Sequence, residues 1–427
     1  MISSAEDMSD FYVELLKYCS IPIVASLIGY ATNVLAIVMT FSPLEYFGWG
    51  EQFFRRWGFS LGWQGIIPAN AEKMARKAVV LITTKLVRVE DVFDELDPAE
   101  VVRCLKPVLS HSLSKVVSKV AMAHAPDIWE SLPLTTRSEI VEKVAEGAPP
   151  YIEAMMVDMK KDIMEMLDLE DLVVEKLLED KRLINELFAR CGEAEFRFIE
   201  RSGLYFGFLL GLFQAAAWFG LREVSHFEQS SLWWFLPAAG AVCGYVTNAL
   251  ALWLIFQPVE PKTFWIFRMH GLFLQRQREV SIMFAHISSE RVLTAKNMWE
   301  RIMFGPNSHH LEDIVNKHVK RAVDEHVGIL RPFIPLVVGT QTFVEVKEQA
   351  AALLLLEFPR CLPATYEYTE RAMDMEKRLS TKMQGLSCPD FERVLHPVFE
   401  EDELKLIIVG GVLGMCVGIF QTVYVFG

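Results

Sequence analysis

Gly29-Tyr30-Ala31-Thr32-Asn33-Val34-Leu35-Ala36-Ile37 stands near the start of the chain, and Gly244-Tyr245-Val246-Thr247-Asn248-Ala249-Leu250-Ala251-Leu252 stands in its second half. Each copy lies inside a long apolar run. Each is followed by Phe-x-Pro, Phe41 to Pro43 in the first and Phe256 to Pro258 in the second. Polar side chains in a run long enough to cross a bilayer are costly and need a partner or a purpose. Tyr30, Thr32, Asn33, Tyr245, Thr247 and Asn248 are therefore the candidate polar motif of a membrane core.

Four uncharged runs reach spanning length: Ile21 to Phe41, Gly203 to Leu221, Leu232 to Phe256 and Leu406 to Gly427. A span needs about 20 residues at about 1.5 Å each. The alternative, buried helices of a large soluble core, explains less well why four such runs occur with aromatics at their ends. The mean hydropathy of +0.24 fits a membrane protein with charged helical sequence between its spans. The second and third runs are separated only by residues 222–231, so they form a helical hairpin. The other two connections are long and polar, and both fall on one face of the membrane.

Lys and Arg near the spans set the orientation. Arg55, Arg56, Arg197, Arg201, Arg268, Arg276, Arg278 and Lys405 lie on the side of the long connections, against Lys17 and Arg222 opposite. The long connections are expected in the cytoplasm. The start of the chain is acidic rather than basic and has no small-residue cleavage site, so the first run reads as a retained helix. Seven cysteines without a CxxC pair fit a reducing compartment. The net charge of −13 argues against a nucleic-acid partner.

Trp49, Arg55, Arg56, Trp57 and Trp63 follow the first span in a glycine-rich segment, and Trp265 and Arg268 follow the third. Rings and guanidinium groups in such mixtures suit the headgroup level of a bilayer. Beyond these segments the pattern is helical throughout, with no alternating strand pattern of any length. Asp97-Pro98 predicts a helix start and Pro149-Pro150 a break. Ile152, Met155, Met156, Met159, Ile163 and Met166 recur at helical spacing as an amphipathic face. With Met164, these methionines read as core filling, or else as a deformable groove for a partner or an acyl chain.

The chain repeats internally. The opening motifs are offset by 215 residues (29 to 244), and Gly203, Gly207 and Gly211 match Gly410, Gly414 and Gly418 at an offset of 207. Phe213-Gln214 then falls on Phe420-Gln421. The expected organisation is two tandem units, 1–222 and 223–427, each running span, interfacial turn, helical lobe, span. The lobes cover 44–200 and 258–403. The fold class is an all-α integral membrane protein with four transmembrane helices and two cytoplasmic helical lobes. Glycines four apart let a second backbone approach closely, so Gly29, Gly203, Gly207, Gly211, Gly244, Gly410, Gly414 and Gly418 are expected to pack the helices. Asn33 and Asn248 would bond across helices, or line a conduit or a headgroup site.

On these motifs the chain resembles the YheB/YjiN-like family of bacterial membrane proteins of unknown function. The resemblance rests on Gly29 to Asn33, Phe41 to Pro43, Gly65-Ile66-Ile67-Pro68, and Gly203 to Gln214. It covers essentially the whole chain, taken as two family-like units. The second unit departs from the pattern, because Gly271-Leu272-Phe273-Leu274 lacks the proline. The resemblance implies a bacterial inner-membrane location and brings no activity with it.

No nucleophile elbow, Walker loop or dinucleotide fingerprint stands in its required context. The histidines His286, His309, His310, His318 and His326 show no His-x-x-x-His pair and read as solvated helix residues rather than metal ligands. No catalytic residue, metal site or cofactor is expected. The expected function is that of a membrane-anchored scaffold, or a lipid- or partner-binding protein, with amphipathic cytoplasmic helices. The bilayer is its first partner, with a lipid or protein partner and self-association left open. The alternative is a small transporter or channel built on the paired Thr/Asn motifs.

Overall fold

The structure, a computed structural model, describes residues 3–49, 61–81, 83, 86–221, 233–264, 267–326, 340–395 and 397–424. These residues are overwhelmingly helical. The principal elements are α1 (Ser3–Phe41), β1 (Phe47–Trp49), β2 (Leu61–Trp63), α2 (Pro98–His124), α3 (Pro149–Lys161), α4 (Lys181–Cys191), α5 (Glu193–Phe219) and α6 (Phe235–Phe256). They continue with β3 (Lys262–Phe264), β4 (Phe267–Met269), α7 (Ser308–His326), α8 (Thr340–Cys361) and α9 (Pro397–Tyr424). Four helical stretches are long and apolar enough to cross a membrane: Tyr18–Phe41, Glu193–Phe219, Phe235–Phe256 and Ile407–Tyr424.

The chain forms two compact units, each assembled from segments of both halves of the sequence. One holds Met1–Leu81, Leu177–Phe284 and Thr381–Gly427, and the other Ile82–Lys176 and Ala285–Ser380. These units cut the chain differently from the tandem division expected at residue 222.

In the first unit α1 packs on α5 and α6 packs on α9, and α5 also packs on α6. The segments after α1 and α6 each contain a two-stranded antiparallel hairpin. Phe47 pairs with Trp63 in one, and Lys262 with Met269 in the other. The strands are three residues long, too short to show an alternating pattern in the sequence, which is why none was expected. Each hairpin leads back to the end of the preceding long helix. The Gly65 amide donates to the Pro43 carbonyl at 2.9 Å and the Gly271 amide to the Pro258 carbonyl at 3.0 Å. A Cβ on Gly65 would lie 2.8 Å from the Phe41 carbonyl carbon, and one on Gly271 would lie 2.8 Å from the Ile255 carbonyl oxygen. Gly271 thus starts a short helix (Leu272–Gln275) as Gly65 does (Ile66–Ala69), although the proline is missing there.

In the second unit α2 packs on α8, α3 on both α2 and α7, and α7 on α8. The α2 start follows from Asp97-Pro98: the Asp97 carboxylate accepts from the Ala99 amide at 3.0 Å, and proline occupies the first turn. Pro149 likewise opens α3. Met155, Met156, Met159 and Met166 are buried core residues, and Met164 alone of the group is exposed. Trp299 is fully buried, edge-on to Phe93 at 6.3 Å, with its indole nitrogen 3.4 Å from the Thr369 hydroxyl.

Candidate functional site in the four-helix core

The closest helix contacts lie at glycines. A Cβ on Gly29 would collide with the Gly203 carbonyl oxygen, and one on Gly244 with that of Gly410. Further along, Gly207 faces Ala25, Gly211 faces Pro22, Gly414 faces Gly240 and Gly418 faces Leu236. All eight glycines expected from the sequence to pack helices lie at such contacts. Every one of them meets backbone, which cannot move aside, and Gly410 meets the Asn248 side chain as well.

Close packing turns a stripe of polar residues inward. Gly29, Thr32, Asn33 and Ala36 stand at steps of three and four, so they share one face of α1. Thr32 is 5% exposed and Asn33 is fully buried; Thr247 is fully buried and Asn248 is 4% exposed. Tyr30 and Tyr245, one position after the glycines, lie about a hundred degrees round the helix and are exposed. The motif therefore divides: its Thr and Asn belong to the core, and its Tyr to the outer surface of the bundle.

The Thr hydroxyls are satisfied within their own helices. Thr32 donates to the Gly29 carbonyl at 3.1 Å, and Thr247 lies 2.9 Å from the Cys243 carbonyl and 3.1 Å from that of Gly244. Asn33 reaches across: its Nδ2 donates to the Ile199 carbonyl of α5 at 2.5 Å. The Asn248 amide stands where a Cβ on Gly410 would fall, so that glycine makes room for it.

Two small cavities lie among these residues. One, of about 20 Å³, is lined by residues of all four helices, including Thr32, Thr247, Gln214 and Gln421. The other, of about 30 Å³, is lined by Asn33, Thr40, Asn248 and apolar neighbours on α1, α5 and α6. Gln214 and Gln421 are both buried. They served only as markers of the repeat in the sequence. The signal for a core role was present: each follows the last glycine of its stripe by three residues, on the same helix face. One turn beyond the first cavity, Ile21, Trp218 and Leu236 form a fully buried apolar cluster.

At the other end of α5, Glu195 is 5% exposed and both its carboxylate oxygens lie 2.8 Å from the Arg276 guanidinium. Beside it, burial and then the negative charge of Glu195 push the Cys191 thiol up to about 12. Of the expected interfacial residues, Trp63 donates from its indole nitrogen to the Met39 carbonyl at 3.2 Å. Trp49 and Arg268 lie in β1 and β4. Arg55, Arg56, Trp57 and Trp265 lie outside the described residues.

The second unit corrects one reading of the histidines. His318 is buried rather than solvated, and its Nε2 lies 3.0 Å from the Asp158 carboxylate. Lys317 donates to the same carboxylate at 2.7 Å. Lys317 and then His318 hold Asp158 down at about 2. Among the described residues no three His, Cys, Asp or Glu side chains converge as a metal site would require.

Comparison with protein-family models, curated proteins and solved structures finds no match for the chain.

Proposed function

We propose that the protein is an integral protein of a bacterial inner membrane that acts as a membrane-anchored scaffold. Its four apolar helices cross the bilayer, and its long polar segments lie in the cytoplasm, where they bind a lipid surface or a protein partner. The observation that carries this reading is the backbone-to-backbone contact of Gly29 with Gly203 and of Gly244 with Gly410. Helices locked together at that distance leave between them cavities of only 20 to 30 Å³, which is room for water and not for a transported solute. The Asn33 bond to Ile199 then serves as interhelical glue. The matching glycine contacts and hairpins of the two halves support the tandem repeat, and with it the resemblance to the YheB/YjiN-like family.

The buried Thr, Asn and Gln side chains are the observation that favours the second reading, a small transporter or channel. Reconstitution of the full chain in liposomes separates the two. The scaffold reading expects proton, sodium and potassium flux equal to that of empty vesicles, together with a defined partner crosslinked to residues 82–176 or 285–380 in cells. Flux above background that disappears when Asn33→Leu is combined with Asn248→Leu would replace it with the transporter reading.

A further inference from the structure

Two polar atoms in the four-helix core are buried beyond the reach of bulk solvent. The Gln214 amide nitrogen and the Asn33 amide oxygen have no hydrogen-bond partner among the described residues. Gln214 is 8% exposed and Asn33 is fully buried. Leaving such a group unsatisfied away from water is costly. Each of the two residues lines one of the two cavities, Gln214 the 20 Å³ space and Asn33 the 30 Å³ space.

The chemistry of the linings restricts what could occupy them. The first space presents an N–H donor, which repels a cation. It also presents the Thr32 and Thr247 hydroxyl oxygens, whose protons are directed to carbonyls of their own helices and whose lone pairs face outward as acceptors. The second space presents a carbonyl acceptor, which repels an anion. A ligand for both must donate and accept, carry no charge, and fit a space of only 20 to 30 Å³. Water meets all of these conditions, since it needs about 10–15 Å³ of such space and two to four polar partners.

We propose that the core binds ordered water at two internal sites. One molecule accepts from Gln214 Nε2 and donates its two protons to the hydroxyl oxygens of Thr32 and Thr247, so that through Thr247 it bridges the two halves of the chain. The other donates to Asn33 Oδ1 and to the Thr40 hydroxyl oxygen, whose own proton goes to the Ala36 carbonyl. The Ile21, Trp218 and Leu236 cluster closes the first site on one side. The waters are structural members of the core.

Radiolytic hydroxyl-radical labelling of the full chain in nanodiscs tests this, because internal water generates radicals where bulk solvent does not reach. With each residue scaled to its labelling in the unfolded chain, the expected result is strong labelling of Ile28 and Cys243 at the first site and of Leu252 and Phe196 at the second, at least several-fold above Ile21 and Leu236. Gln214→Leu should reduce the labelling of Ile28 and Cys243 several-fold and leave Leu252 and Phe196 unchanged. Labelling of the lining residues no higher than that of Ile21 would overturn the proposal. So would Gln214→Leu protein that stays folded and keeps full labelling at Ile28. Should Gln214→Leu fail to fold, Thr32→Val removes one acceptor of the same site and is read in the same way. Leu252, which is buried where Ile28, Cys243 and Phe196 are half-buried, decides the second site in the wild-type protein without either variant.

Discussion

Gly410 and Gly411 are neighbours in the sequence with opposite surroundings. A Cβ on Gly410 would lie against the Asn248 amide and 2.8 Å from the Gly244 carbonyl oxygen, whereas one on Gly411 would meet the Ala241 carbonyl oxygen at an ordinary 3.4 Å. Gly410→Ala should therefore destabilise the protein by about 1–3 kcal/mol, the usual range for overpacking. Gly411→Ala should be neutral or slightly stabilising, since alanine is the better helix former. Thermal unfolding of the two variants in detergent, followed by size-exclusion chromatography, reads the difference directly. Equal loss in both would mean that the glycine stripe is not the packing surface.

The buried Glu195 depends on Arg276. Arg276→Met leaves a carboxylate stranded where it is 5% exposed, and should cost about 3 kcal/mol. Adding Glu195→Gln should restore most of that loss, because the stranded charge is then gone. A double-mutant cycle by thermal or denaturant unfolding checks this. Additive losses would show that the pair does not act as a unit.

Asp158 gives the second unit an acid limit. Its carboxyl is held at about 2, below its ordinary 3.8, by Lys317 and then His318. A depressed carboxylate contributes stability that is fully present above the ordinary value and is lost as the pH falls through the folded one. Wild-type stability should therefore decline between about pH 4 and pH 2. Asp158→Asn should be less stable than wild type at neutral pH and should approach it at the acid end. Unfolding curves across that range that run parallel for the two proteins would refute the assignment.

Cys191 should resist alkylation. The thiolate is the reactive form, and a thiol held near 12 by burial and by Glu195 has almost none of it at pH 8. Cys104 and Cys388, which are only partly buried, should react with maleimide in the folded protein, while Cys191 reacts only after denaturation. Mass spectrometry of the labelled peptides measures the order. Prompt labelling of Cys191 would show that this end of α5 opens.

The four long apolar helices were legible because length and an absence of charge are written locally, and the glycine contacts because a four-residue step fixes a helix face. The inward turn of Thr32 and Asn33 and the outward turn of Tyr30 follow from the same step, once a partner for Gly29 is named. Other features depend on residues far apart in the chain. Nothing near His318 announces that Asp158, from the other half of the sequence, will cover it. The assembly of compact units from both halves was likewise hidden, because contact between α2 and α8 joins segments more than two hundred residues apart. The β1–β2 and β3–β4 hairpins are too short to leave a period.

The division of the second unit between 82–176 and 285–380 also sets a schedule for biosynthesis. The earlier segment leaves the ribosome while α7 and α8, on which it packs, are still unsynthesised. It must wait while the whole of 177–284 is made, on the order of ten seconds at about 5–20 residues per second. Through that interval the faces of α2 and α3 that pack on α8 and α7 have no partner. A ribosome stalled between 222 and 284 would release a product with neither compact unit complete.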